Sequence, residues 1–66
     1  MAALEREEIE KLLMTLEDQG ALFPEFSLVR EENTLSLLGS GGFSVVYEMT
    51  SRSNHQTHYA LKVMGL

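Results

Sequence analysis

Three glycines within four positions, Gly39, Gly41 and Gly42, divide two β-prone runs, and this cluster constrains the fold more than any other feature. A helix cannot run through it, because each interior glycine costs about 1 kcal/mol relative to alanine. Upstream, Thr34–Leu38 reads as a short strand with Leu35 and Leu37 on one face. Downstream, Ser44–Thr50 is rich in β-branched and aromatic residues, which suit a pleated, half-buried surface. The run Gly39-Ser40-Gly41-Gly42-Phe43 then serves as a hairpin loop. Residues 51–56 (SRSNHQ) carry turn chemistry, and Thr57–Val63 forms a third strand. Three successive strands joined by tight loops predict an antiparallel meander.

The N-terminal part follows a different period. Ile9, Leu12, Leu13 and Leu16 recur at helical spacing, with Leu4 near the same stripe, so residues 3–19 are expected to form an amphipathic helix. Glu7 stands four residues before Lys11, the favourable order for a helical ion pair. Gly20 suits a C-terminal cap, and Pro24 forbids continuation. The stripe packs on its own domain or docks a partner. Residues 21–33 read as an extended connector that Phe23, Phe26 and Leu28 anchor. The expected fold class is therefore α+β: an N-terminal helical extension and connector over 1–33, then a three-stranded meander over 34–66.

Composition narrows the function classes. The 66 residues hold no cysteine, so neither a disulfide nor a thiolate metal site can staple so small a chain. The net charge of −5 argues against a nucleic-acid binder, which needs cations for phosphates. Every acid except Glu48 falls within residues 1–32, whereas the rest of the chain sets Glu48 against Arg52 and Lys62. An anionic small ligand therefore belongs in the second half. No secretory signal or membrane-spanning run stands in the sequence, so no membrane partner is expected and the default location is the cytoplasm.

A glycine loop between strands lets the backbone take positive φ, approach a ligand closely and offer N–H groups to phosphate oxygens. A P-loop requires Gly-Lys-Ser/Thr and a following helix, and a dinucleotide fingerprint also requires the helix. Here Val45-Val46-Tyr47-Glu48-Met49 follows, which is strand-like. A strand–loop–strand flap over ATP, with a lysine on the next strand, fits instead.

Leu38-Gly39-Ser40-Gly41-Gly42-Phe43-Ser44-Val45-Val46-Tyr47 resembles the glycine-rich loop of protein kinases, and Tyr59-Ala60-Leu61-Lys62 resembles their Val-Ala-Ile-Lys segment. Alternation along a strand puts Ala60 and Lys62 on one face and Tyr59, Leu61 and Val63 on the other. The resemblance covers about residues 34–64. It implies that Gly39 and Gly41 are the first two loop glycines, with Ser44 at the third position. It implies that amides near Gly41–Ser44, with Ser40 and Gly42 in the same loop, approach the phosphates, and that Phe43 is the tip of the flap. Leu38, Val46 and Ala60 would roof the adenine, and Lys62, the implied catalytic residue, would pair with the α- and β-phosphates.

The same resemblance shows what this sequence does not contain: the glutamate helix, the catalytic loop and the Asp-Phe-Gly segment that holds magnesium. The expectation is the front part of a serine/threonine-type kinase small lobe. It would bind ATP, leave Mg²⁺ and the protein substrate to the remainder of the kinase domain, and be inactive alone. The alternative is a non-catalytic interaction fragment or degenerate remnant, in which the acidic helix binds a partner. No metal site is expected of its own residues: His55 and His58 lack the further ligands a metal needs. Ser27, Ser36, Ser40 and Ser44 have no His/Asp partners that would make a hydrolase.

Overall fold

The computed structural model describes residues 5–64. Residues 3 and 4 of the expected helix, Leu4 of its stripe among them, lie outside the described residues. Helix α1 runs Arg6–Asp18. It ends as the sequence leads one to expect. Gly20 takes φ +71° just past the helix, its N–H donates to the Glu17 carbonyl, and the Ala21 N–H reaches back to Leu16 at 2.8 Å. That pair of bonds is the Schellman closure, which needs a left-handed residue and so favours glycine. Glu7 and Lys11 approach to 3.9 Å, both exposed.

The buried face of α1 differs from the expected one. Ile9, Glu10 and Leu13 are buried, whereas Leu12 is 51% exposed. The helix is turned so that acids at positions 10 and 17 face the sheet, and Leu12 rotates out.

Six strands follow: β1 Phe26–Leu28, β2 Arg30–Glu31, β3 Thr34–Leu35, β4 Leu37–Ser40, β5 Ser44–Ser51 and β6 His58–Met64. All pairings are antiparallel. The main sheet is four-stranded, not three-stranded, because the expected connector supplies β1. Strand β5 is the central one. Along one edge it pairs β4 (Gly39 opposite Val46) and, farther on, β1 (Leu28 opposite Met49). Along the other it pairs β6 through the whole run from Ser44–Met64 to Thr50–His58. Between β1 and β4 the chain leaves the edge as the small β2–β3 hairpin. Glu48 spans that gap: its carbonyl accepts from the Val29 N–H at 3.1 Å and its N–H donates to the Ser36 carbonyl at 2.9 Å. Thr34 and Leu35, expected as the start of one strand with residues 36–38, thus belong to the hairpin instead.

Alternation on β5 sorts its side chains. Val45, Tyr47 and Met49 are buried under α1, while Ser44, Val46, Glu48 and Thr50 face the other way. Ile9, Leu13, Leu28, Leu35, Val45, Tyr47 and Met49 make one core, joined at its rim by Phe26, Leu37, Leu61 and Val63. That core runs across residues 33 and 34, where the sequence suggests a division. Among the described residues no helix is long and apolar enough to cross a membrane.

Candidate functional site: the glycine turn and the open face of the sheet

The open face is built by register. Gly39, Val46 and Lys62 are neighbours in one row across β4, β5 and β6. In the next row Ala60 lies opposite Glu48. Adjacent strands stand about 4.8 Å apart and alternate residues about 6.7 Å apart along a strand. The row from the glycine strand to the lysine strand is therefore about as wide as a nucleotide base and its sugar. Burial agrees with the alternation expected on β6: Leu61 and Val63 are half-buried on the helix side, whereas Ala60 and Lys62 are exposed. Tyr59 is 44% exposed although it shares the helix-side face, where it stands edge-on to Phe26 with ring centroids 4.8 Å apart.

The loop closes tightly. Ser40 pairs with Val45, and the Gly41 N–H donates to the Ser44 carbonyl at 2.8 Å. That amide is thus engaged within the turn, contrary to the expectation that it faces a ligand. The N–H groups of Gly42 and Phe43 donate to no acceptor among the described residues. Phe43 projects at the tip, 78% exposed, and Leu38 is 56% exposed.

The glycines do not take the conformation that the sequence suggests for them. None of Gly39, Gly41 and Gly42 has positive φ. A Cβ at Gly39 or Gly42 would meet nothing within 4 Å, and at Gly41 it would touch the Ser44 Oγ at 3.4 Å. The fold itself has room for side chains here. What the glycines supply is bare backbone beside an open face.

Beyond Val46 the same face carries a polar group that the sequence reading misses. The Glu48 carboxylate accepts from the Ser36 Oγ at 2.9 Å and lies 2.6 Å from the His58 Nδ1. His58 thus pairs with Glu48 across the strands. Lys62 makes no ion pair among the described residues, which leaves its ammonium available.

Three surface concavities lie away from the glycine turn. One sits between α1 and the β2–β3 hairpin, lined by Arg6, Glu10, Lys11, Met14 and Thr34. A second, at the end of α1, involves Gly20, Phe23, Pro24 and Arg52. A third is apolar, with Phe23, Phe26, Met49, Tyr59, Leu61 and also Ala60 of the open face in its walls. None of these three includes the glycine turn or Lys62. The candidate site is an open sheet face with the glycine turn at one end.

Comparison with family models, with curated proteins and with solved structures found no match for this chain.

Proposed function

We propose that the open face of this sheet binds Mg-ATP and that the chain is the nucleotide-binding segment of a protein kinase of serine/threonine type. One observation carries the reading: Gly39, Val46 and Lys62 fall side by side in one row, with Ala60 beside them, on the face that α1 leaves uncovered. Phosphates would lie at the turn. The donors there are the N–H groups of Gly42 and Phe43 and the Lys62 ammonium. The base would lie against Val46 and Ala60, with Leu38 at the bulge of β4 beside them. The glycines support the same reading, because bare backbone that the fold does not require is what a close approach of phosphate requires.

The residues present fit the nucleotide and do not supply the metal. Glu48, the one acid after residue 32, is tied to Ser36 and His58 on the far side of Val46 from the turn. In a full kinase, magnesium bridges the phosphates and lowers their charge in the transition state. This chain's part is to hold the phosphates, shield them from water and place a cation against them. Residues that orient a hydroxyl nucleophile are not among those of this sequence.

The competing reading makes α1 a docking helix for a partner. Against it stands the burial of Ile9 and Leu13 on this chain's own sheet, which leaves Leu12 the exposed residue of the described stripe.

Calorimetric titration of the chain with Mg-ATP, beside its Lys62→Met variant, tests the proposal. Binding that weakens about tenfold or more in the variant is expected, since a cation facing phosphate is worth at least 1.4 kcal/mol in such a site. Equal binding by both proteins would remove Lys62 from the site.

A further inference from the structure

Glu10 is buried, with 5% of its surface exposed, and the nucleotide reading gives it no task. A buried carboxylate is costly unless it is paired and fully hydrogen-bonded. Glu10 meets that condition in full. Its Oε1 accepts from the Leu35 N–H at 3.1 Å, its Oε2 accepts from the Tyr47 hydroxyl at 3.1 Å, and the Arg6 Nε lies 3.3 Å from Oε2. Two helical turns later Glu17 repeats the pattern. Its Oε2 accepts from the Leu28 N–H at 2.7 Å and its Oε1 from the Arg30 Nη2 at 2.7 Å.

Leu28 precedes the β2–β3 hairpin and Leu35 is its last residue, where the edge of the sheet is interrupted. Their N–H groups bond to helix side chains at the place where the edge leaves β5. The two glutamates thus close the break from outside the sheet. Glu10 also reaches both strands of the flap. Leu35 adjoins Ser36, whose carbonyl receives the Glu48 N–H, and β4 begins one residue later. Tyr47 lies between Val46 and Glu48 on β5, so anchoring its phenol fixes how β5 presents Val46 to the open face.

We propose that Glu10 is a positioning residue for the glycine flap. Through it α1 sets where residues 39–44 stand relative to Lys62. Only the identity of the ligand rests on the nucleotide reading; the coupling of α1 to the flap does not. Linkage then requires the reverse effect: a ligand that holds the flap tightens the docking of α1.

The test uses the whole chain as wild type, Glu10→Ala, Glu10→Gln and Tyr47→Phe, with amide hydrogen exchange followed by NMR. In Glu10→Ala, exchange along the β4–β5 ladder is expected to speed up about tenfold, while β5–β6 amides change much less. Glu10→Gln keeps an acceptor oxygen and should recover part of the loss. Saturating Mg-ATP should slow exchange of the Leu28 N–H in the wild type and leave it unchanged in Glu10→Ala. Equal acceleration of both ladders would mark a merely structural role and overturn the proposal, as would an unchanged flap.

Two outcomes separate this proposal from the nucleotide reading. If Mg-ATP affects no wild-type amide but Glu10→Ala still loosens the flap alone, the nucleotide reading fails and the positioning role stands. If Mg-ATP binds the wild type and Glu10→Ala with equal affinity and the flap is unchanged, the positioning role fails and the nucleotide reading stands. Should Glu10→Ala lose its dispersed spectrum, Tyr47→Phe decides. It removes one hydroxyl, and the same selective loosening, at a smaller fold-change, is expected.

Discussion

Tyr47 has no exposed surface, and its hydroxyl ends on Glu10. Burial, and next the hydrogen bond to Glu10, push the phenol from 10.0 up to about 12. The folded chain therefore holds this proton where the unfolded chain loses it. The stabilisation is complete below about pH 10 and is lost as pH rises from about 10 to about 12. Urea unfolding across that window should show stability falling, and Tyr47→Phe should flatten this part of the slope. The flap glycines make a sharper residue-scale prediction. Gly39→Ala and Gly42→Ala place a methyl in open space at ordinary φ. Stability by urea unfolding should stay within about 0.5 kcal/mol or rise slightly, because alanine has less freedom to lose on folding. Mg-ATP affinity should fall about tenfold, as bare backbone is lost at the phosphates. Unequal effects of this kind separate a ligand-facing glycine from a turn-forming one. Residue by residue, the sequence marks Lys62 and the glycines, because their pattern is local. It does not mark Glu10 or Glu17. An acid on a helix reads as solvated, and only a partner distant in sequence shows otherwise. The available signal is that Glu10, Leu13 and Glu17 share one face at i, i+3 and i+7.

At the scale of elements, α1 is turned from its apolar stripe toward its acids. Leu13→Ala is expected to cost about 2–4 kcal/mol as a core deletion, whereas Leu12→Ala should change stability by less than about 0.5 kcal/mol. Chemical denaturation of the two variants checks the rotation directly, and equal costs would contradict it. The β5–β6 hairpin is legible because Val45, Tyr47 and Met49 alternate with polar or smaller neighbours over a full strand. Strand β1 is not. It is three residues long, follows Pro24, and precedes the charged run Arg30-Glu31-Glu32. Only pairing to β5 makes it a strand. The β2–β3 hairpin is hidden for a similar reason. Its turn puts Glu32, a non-glycine residue, at φ 55°. Left-handed backbone costs such a residue about 1 kcal/mol, so Glu32→Gly should stabilise the chain by a few tenths to about 1 kcal/mol in the same assay.

For the whole molecule, the balance of covered and open surface governs behaviour. One helix covers one face of a four-stranded sheet, and the other face carries exposed Ala60, Lys62 and Met64. Chains near this size bury only about 60% of their unfolded surface and are marginal without a staple. A thermal midpoint at or below the lower end of the ordinary range, about 45 °C, is therefore expected by circular dichroism. Mg-ATP should raise it by mass action. The measurement that bears most directly on the central claim is an amide NMR titration of the chain with Mg-ATP. Shifts are expected at the turn and the open face, namely Gly39 to Ser44, Val46, Ala60 and Lys62, with α1 and the buried core much less affected. Shifts centred on the cleft of Phe23, Phe26 and Tyr59, or no shifts from a well-dispersed spectrum, would contradict it.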